Sequence, residues 1–198
     1  MTGVQTCALP ISLDALVGGF DEYTLSVSDG NTTKTFNDVV IGELWLAAGQ
    51  SNMAFWEYES TSFEDDKADA DKYKIRYFSQ DTVAAVDKRD DVCNGKWIIA
   101  NTADSIRLAY AVGYSFAKNY YNLMDKKVPV GLVQIAQGSS GMQCFMPEEL
   151  LGGDFSVLDN SKSVDPYQNS SDSPKWQTRA TGLYNGMLNP IKIGRAHV

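Results

Sequence analysis

The sequence predicts an α/β fold, in the form of a partial three-layer α/β/α parallel sheet that follows a β-hairpin. Three patterns support this class: a hairpin over residues 20–41, a buried strand from Val39 to Ala48, and a helix followed by a second buried strand from Val130 to Ala136. Strands that alternate with helices in this way build parallel sheets with helices on their faces.

The predicted hairpin has alternating apolar and polar residues on its first strand. Tyr23, Leu25 and Val27 alternate with polar residues, and the turn sequence Asp29-Gly30-Asn31 follows them. This alternation, together with a glycine-containing turn, predicts two antiparallel strands with one face toward water. We interpret residues 12–40 as the tail of an upstream β-domain.

A helix of about 18 residues is predicted after Thr102, because apolar residues recur three and four positions apart behind a capping residue. Shorter strands are predicted at Ile75–Phe78 and Lys96–Ala100. No hairpin signal separates the Lys96 strand from the Val130 strand, so we expect a right-handed parallel crossover through the helix.

Three polar or irregular segments complete the prediction. The acidic residues 59–74 lack the Gly and Glu positions of a calcium-binding loop, and we interpret them as a solvated helix or loop. Residues 152–173 are rich in Asp, Ser, Asn and Gly, which predicts a surface loop. Residues 181–191 are expected to begin another helix or turn near the site.

Charge and composition exclude several classes of function. The chain has a formal net charge of −8, whereas nucleic-acid binding needs clustered basic charge. No apolar run approaches the roughly 18–20 residues of a membrane span. No His, Asp and Cys cluster has metal-site spacing, so we predict neither a metal nor another cofactor. For Cys93 and Cys144 we favour separate thiols over a disulfide, and the oligomeric state stays open.

Both ends of the chain have the pattern of translated adapter rather than protein. Residues 5–11 and 193–198 can be encoded by opposite strands of one oligonucleotide. We therefore interpret residues 1–11 and 193–198 as artefact. His197, the only histidine of the chain, lies in this part and is not a candidate catalytic base.

A serine lies in a small turn directly after the first buried strand. The chain reads Ile41-Gly42-Glu43-Leu44-Trp45-Leu46-Ala47-Ala48-Gly49-Gln50-Ser51-Asn52-Met53. A strand followed by Gly can present a side chain at the carboxyl edge of a parallel sheet, where backbone N–H groups can receive an oxyanion. Ser51 is therefore a candidate nucleophile, with an ordinary turn serine as the alternative.

The same stretch resembles the first sequence block of the SGNH-type serine esterases of the sialate O-acetylesterase family. The resemblance implies a flavodoxin-like SGNH hydrolase fold, with residues 41–192 as the N-terminal part of the esterase domain. It also implies removal of O-acetyl groups from sialic acid or a related acetylated glycan, with Ser51 as nucleophile. A periplasmic or extracellular location is implied in the same way.

A second block follows the second buried strand. It reads Gln134-Ile135-Ala136-Gln137-Gly138-Ser139-Ser140-Gly141-Met142-Gln143-Cys144-Phe145-Met146. It is similar to a Gln-x-Ala-x-Gly-Gly-Ser-Pro-like loop of the family, but Ser139 replaces the second Gly and glycine replaces Pro. Gly138 has no side chain, so its backbone can approach a substrate oxygen closely. The resemblance implies that Gly138 and Ser51 N–H groups hold the oxyanion, with Ser139 as a further candidate; a turn without catalytic role is the alternative.

A third block resembles the Leu-Tyr-Asn-Gly-Met segment of the family. It reads Gly182-Leu183-Tyr184-Asn185-Gly186-Met187-Leu188-Asn189-Pro190. Asn185 either donates an amide N–H toward the substrate pocket or caps a turn. Trp45 suits core packing, whereas Trp56 suits the wall of an acyl or sugar pocket. The residues expected to contact the substrate are Gln50, Asn52, Asn185 and Trp56.

Two further blocks of the family do not occur in this chain. Relatives carry a Trp-Tyr-Gln-Gly-Glu-Ser-like stretch and an Asp-x-x-His-type block that supplies the base, and the resemblance places both beyond Lys192. We therefore expect the chain to be almost inactive alone and to expose a strand edge that favours aggregation. Two alternative functions stay open: an acetyl-xylan or other polysaccharide acetylesterase, and a non-catalytic carbohydrate-binding module.

Overall fold

A computed structural model describes residues 16–160 and 178–191. The strands in these ranges are β1 (Gly19–Ser28), β2 (Thr33–Ile41), β3 (Glu43–Gly49), β4 (Ile75–Ser79), β5 (Lys96–Ile99) and β6 (Val130–Ala136). The α-helices are α1 (Phe63–Asp69), α2 (Ala103–Ile106) and α3 (Ala111–Leu123). The predicted adapter segments 1–11 and 193–198, and residues 161–173 of the predicted surface loop, lie outside the described residues.

β1 and β2 form the predicted antiparallel hairpin. In the hairpin turn, the Asp29 carboxylate accepts the backbone N–H groups of Asn31 at 2.9 Å and Thr32 at 2.7 Å. These hydrogen bonds lower the pKa of Asp29. The expectation of only one wet face is wrong within the described residues, because the apolar side chains are exposed as well: Tyr23, Leu25, Val27 and Phe36. The assignment of residues 12–40 to an upstream domain stays a prediction.

The strand predicted from Val39 to Ala48 is divided between two sheets. Up to Ile41 the chain pairs with β1, and from Glu43 it pairs with β6. At the junction the Glu43 N–H donates to the Pro129 carbonyl oxygen at 3.0 Å. A Cβ on Gly42 would lie 2.1 Å from that same oxygen, so only glycine fits where the chain changes partners.

The second sheet has the strand order β3-β6-β4-β5. β3 and β4 both pair in parallel with β6, and β5 pairs antiparallel with β4. The predicted parallel crossover from the Lys96 strand to the Val130 strand is therefore wrong, because β5 runs along the outer edge of β4 in the direction opposite to both β4 and β6. The predicted α/β class with parallel strands is confirmed.

The predicted long helix is interrupted and forms α2 and α3 instead. Thr102 caps α2 as expected, since its hydroxyl oxygen accepts the Ser105 N–H at 3.1 Å. Between the helices, backbone groups form hydrogen bonds with the segment after Ser51 and not within a helix. The Ala109 carbonyl oxygen accepts the backbone N–H of Glu57, and the Ala111 N–H donates to the Phe55 carbonyl oxygen, both at 2.8 Å. These bonds exclude a continuous helix over residues 107–110.

α3 covers one face of the parallel sheet. A Cβ on Gly113 would lie 3.3 Å from the Ala47 Cβ, so helix and strand approach closely here. Trp45 packs edge-on against Phe116 and Tyr120 of α3, with ring centroids 5.0 and 5.1 Å apart. The core below α3 consists of buried apolar residues, among them Ile75, Tyr77, Tyr114, Ala117, Val130 and Leu132.

The part of the chain that the structure describes covers the opposite face of the sheet only near its carboxyl end. There Leu183 and Met187 pack against Ile135 and Cys144, and the predicted turn over 181–191 is present as a π-helical turn at Tyr184–Leu188. Further along this face, apolar side chains are exposed: Leu44, Leu46, Trp97 and Ile99. No helix among the described residues is long and apolar enough to cross a membrane.

Candidate active site

Ser51 lies in a tight turn at the carboxyl end of β3. The Gln50 carbonyl oxygen accepts the N–H groups of Met53 at 2.9 Å and Ala54 at 3.0 Å. These two bonds turn the chain sharply, so that Ser51 is exposed at the rim of the sheet. The predicted burial of this strand is wrong for its first part, since only Ala47 of β3 is buried and Leu44, Trp45 and Leu46 are exposed. An exposed hydroxyl at the end of a paired strand is nevertheless accessible to a substrate and is held by a rigid element.

The Gln50 side chain accepts both polar hydrogens of Ser51. Its Oε1 atom accepts the Ser51 hydroxyl at 2.6 Å and the Ser51 backbone N–H at 2.8 Å. An amide oxygen is not a base, so this contact orients the hydroxyl without activating it. Before the Ser51 N–H could bind an oxyanion, the exposed Gln50 side chain would have to move away.

Gly138 lies next to Ser51, although the two residues are far apart in the sequence. β3 and β6 are parallel neighbours in register, so that Gly49 pairs with Ala136, and the Gln137 N–H donates to the Gly49 carbonyl oxygen at 3.0 Å. A Cβ on Gly138 would lie 3.9 Å from the Ser51 Cβ. The first and second blocks therefore meet at one rim of the sheet.

The loop after Gly138 has a left-handed residue where the family resemblance expects glycine. Ser139 has φ +62°, a conformation that favours glycine. The next residue, Ser140, donates its hydroxyl to the Gln137 carbonyl oxygen at 2.6 Å, which stabilises the bend. The catalytic roles predicted for Ser51, Gly138 and Ser139 stay predictions.

A cavity of about 210 Å³ opens beside Gly138. Its wall combines aromatic rings, amides and hydroxyls, from Trp56, Tyr110, Gln80, Gln134, Gln137, Ser79 and Thr82. Trp56, which we predicted to line a pocket, packs on Tyr110 with ring centroids 5.4 Å apart. Such a mixture of one apolar side and several polar groups suits a small polar ligand.

Gln134 and Tyr110 also line this cavity, although neither was predicted to be part of the site. The buried Gln134 amide accepts the Tyr110 N–H at 2.7 Å and donates to the Leu108 carbonyl oxygen at 3.1 Å. The Tyr110 hydroxyl accepts the Ala136 N–H at 3.3 Å, and burial raises the pKa of this phenol. One signal for Gln134 existed, because it is a polar residue within the apolar run from Val130 to Ala136.

Asn185 is buried and bonds to the neighbouring chain segment. Its amide nitrogen donates to the carbonyl oxygens of Val86 at 2.6 Å and Ala85 at 3.4 Å, and its own N–H donates to the Thr181 carbonyl oxygen at 2.8 Å. These contacts tie the third block to the segment that follows β4. Substrate contacts by Asn185, and by the exposed Asn52 beside Ser51, stay predictions.

Neither a group of metal ligands nor a histidine occurs beside this arrangement in the described part of the chain. Within residues 16–160 and 178–191, no three His, Cys, Asp or Glu side chains are grouped as metal ligands. The same ranges contain no histidine. Cys93 and Cys144 are thiols and do not form a disulfide with each other.

Comparison with known proteins identifies the family. Residues 41–192 match the family described as carbohydrate esterase, sialic acid-specific acetylesterase. The chain is also similar to the crystal structure of a carbohydrate acetylesterase from Xanthomonas citri, with 27% sequence identity and a TM-score of 0.71. This similarity covers 91% of this chain but 36% of that one, and no protein of curated function gives a match. The chain therefore belongs to the sialic acid-specific acetylesterase family of carbohydrate esterases.

Proposed function

We propose that this chain carries the nucleophile and oxyanion half of a serine esterase that removes O-acetyl groups from sialic acid or a related acetylated glycan. The observation that carries the proposal is the juxtaposition of Ser51 with Gly138 at adjoining strand ends, beside a cavity that Gly138 also lines. Family membership supports the same reaction class. The protein is secreted or periplasmic in this proposal.

In the proposed reaction, the Ser51 hydroxyl oxygen attacks the acetyl carbonyl carbon and its proton passes to a base. The carbonyl oxygen becomes an oxyanion, which the N–H groups of Gly138 and Ser51 receive after the Gln50 side chain has moved away. The sugar oxygen then leaves as an alcohol and takes a proton from the base. Water hydrolyses the acetyl-serine and releases acetate, which restores the Ser51 hydroxyl.

The base is proposed to be a histidine, oriented by an aspartate, in a part of the protein outside the described residues. Residues 16–160 and 178–191 contain no histidine, which supports a base that comes from another part of the protein. Loss of a triad member leaves only the acceleration from oxyanion donors and binding. We therefore propose that this chain alone hydrolyses esters very slowly.

The cavity and the nearby exposed side chains are proposed to bind the acetylated sugar. Trp56 and Tyr110 form an apolar wall that suits the acetyl methyl group or the apolar face of a sugar ring. The amide side chains of Gln50 and Asn52 are proposed to contact sugar hydroxyls, and Asn185 to contact the substrate from the third block.

Acetate release from a panel of substrates tests this proposal. The protein should be produced with the region that supplies the Asp-x-x-His-type block and incubated with O-acetylated sialic acid and acetylated xylan. Release from sialic acid that disappears in Ser51→Ala, but not in the hairpin variant Ser26→Ala, is the expected result. Release from xylan alone would contradict the sialate assignment, and binding of either glycan without release would favour a carbohydrate-binding module.

A further inference from the structure

Glu57 is fully buried in the segment that follows the candidate nucleophile. Its side chain is 0% exposed, and its backbone N–H donates to the Ala109 carbonyl oxygen. Neither oxygen of its carboxyl group has a hydrogen-bond donor. An ionised carboxylate that is buried without a donor is strongly disfavoured, and such groups usually take up a proton instead.

A second carboxyl group, that of Asp66 on α1, lies beside Glu57. Asp66 is only 4% exposed. It forms an ion pair with Lys118 of α3, and its Oδ2 atom accepts the Ser62 hydroxyl at 3.0 Å. Lys118 is therefore already paired with Asp66, so that Glu57 and Asp66 together present two carboxyl groups to one ammonium group.

Tyrosines complete the surroundings of this cluster. The Lys118 ammonium lies 5.6 Å from the ring centroid of Tyr114 and 6.0 Å from that of Tyr73. Burial, with added repulsion from Asp66 and Glu57, raises the pKa of Tyr114. The tyrosine thus stays neutral, and the ionic groups that face one another are Glu57, Asp66 and Lys118.

One proton resolves the excess of negative charge and the lack of a donor at the same time. A protonated Glu57 becomes a hydrogen-bond donor, and the neighbouring Asp66 carboxylate can accept. Burial raises the pKa of Glu57 to about 8, and Asp66 adds to the effect, while Lys118 and Ser62 oppose it in part. Although burial opposes it, hydrogen bonds from Lys118, Glu57 and Ser62 lower the pKa of Asp66.

We propose that Glu57 is a positioning residue that works as a neutral carboxylic acid: it donates a hydrogen bond to Asp66 and thereby fixes the segment between the Ser51 turn and α1. Trp56, directly before it, forms part of the cavity wall, and its backbone N–H donates to the Glu59 carboxylate at 3.2 Å. The proton on Glu57 thus holds the Trp56 side of the cavity in place. This inference does not depend on the proposed reaction.

The sign of the pH dependence follows from the two states of Glu57. In the unfolded chain its carboxyl group has its ordinary pKa of 4.5, whereas in the folded chain the pKa is about 8. Between these values the folded chain keeps a proton that the unfolded chain has lost. Stability from this group is therefore complete below about pH 4.5, falls as the pH rises toward 8, and is constant above that.

Thermal unfolding of the chain between about pH 5 and about pH 9 tests the proposal. Glu57→Gln supplies an uncharged N–H donor to Asp66 at every pH, so its Tm should lack the fall that wild type shows. The Tm difference between the two proteins should change by at least about 4 °C across this range. Glu43→Gln removes the same charge from an exposed position of β3 and should follow wild type. Parallel curves for wild type and Glu57→Gln would overturn the proposal.

A second variant keeps the test independent of how well Glu57→Gln folds. Asp66→Asn removes the neighbouring negative charge and leaves Lys118 to pair with Glu57. Wild type should show the infrared C=O stretching band of a protonated carboxylic acid at about pH 6, and this band should be absent from Asp66→Asn. Absence of this band from wild type, or its persistence in Asp66→Asn, would overturn the proposal.

Discussion

The hydroxyl of Ser51, the backbone of Gly138 and the side chain of Gln50 occupy one small region of the surface. Gln50 accepts both polar hydrogens of Ser51, which leaves the serine oriented but not activated. Two exposed hydrogen bonds of this kind stabilise a conformation by on the order of 1 kcal/mol each. A substrate carbonyl oxygen can therefore displace the Gln50 side chain at modest cost.

Gly138→Ala separates the proposed catalytic role of this position from its structural role. The new Cβ would lie 3.9 Å from the Ser51 Cβ, which is an ordinary contact, so the Tm should change little. The methyl group would nevertheless crowd the proposed oxyanion site, and kcat/KM for an acetyl ester should fall at least about tenfold in the protein that contains the proposed base. Gly152→Ala, with no atom within 4 Å of its Cβ, is the control. An unchanged kcat/KM would exclude Gly138 from the oxyanion site.

Some residues of the candidate site could be predicted from local sequence and others could not. Ser51 and Gly138 each follow an apolar strand directly, and this pattern is local. The Asn185 amide donates to carbonyl oxygens about a hundred positions earlier in the chain. The residues around Asn185 do not reveal these partners, so the local sequence could not distinguish a substrate contact from a turn cap. Gln134 was visible only as a polar exception within an apolar strand.

At the scale of elements, the interruption between α2 and α3 shapes the cavity. The side chain of Gln134 on β6 replaces the helical hydrogen bonds of residues 108 and 110. It thereby places Tyr110 against Trp56. The apolar spacing after Thr102 is helical throughout, and nothing in that spacing reveals a buried amide on a different strand.

Gln134→Leu tests this account of the helix interruption. Leucine fills a similar volume but leaves the Tyr110 N–H and the Leu108 carbonyl oxygen without their partner. The free energy of unfolding should therefore fall by about 2–4 kcal/mol, as measured by urea denaturation. Asn119→Leu removes an exposed amide bond to the Ser115 carbonyl oxygen and should cost no more than about 0.5 kcal/mol. Equal losses in the two variants would contradict the account.

At the scale of the whole molecule, the described residues cover one face of the parallel sheet and leave the other face largely open. A Cβ on Gly131 would lie 2.9 Å from a Leu44 methyl carbon and 3.5 Å from the Trp97 ring, so these two side chains meet above the glycine. Leu46 is 52% exposed on the same face. A continuous apolar surface of this kind favours association, whereas the aggregation predicted from an exposed strand edge stays a prediction.

Leu46→Lys should reduce self-association of the chain. The lysine places a charge in the middle of the open apolar face, next to the free edge of β3. Light scattering at a fixed concentration should decrease relative to wild type. Leu123→Lys is the matched control, since Leu123 is 78% exposed at the end of α3, away from the sheet. Equal scattering by all three proteins would show that this face does not drive association.

The class of the fold was predictable, whereas the order of its strands was not. Apolar runs of strand length around a helical pattern indicate α/β packing, and the register of β3 with β6 confirms it. The antiparallel direction of β5 depends on the path of residues 80–95. The turn sequence Asn94-Gly95 directly precedes β5, and Asn94 has φ +51°, but this dipeptide lies about 15 residues after the end of β4 and does not by itself set the pairing with β4. The division of the predicted Val39–Ala48 strand depends on Pro129, a distant residue that approaches Gly42.

Covalent labelling of the nucleophile is the most direct test of the central claim. A fluorophosphonate probe should be incubated with the protein that includes the proposed base, and the modified peptide should be identified by mass spectrometry. The account predicts a single label on Ser51, lost in Ser51→Ala and slowed by O-acetylated sialic acid. A label on another serine, or undiminished labelling of Ser51→Ala, would contradict it.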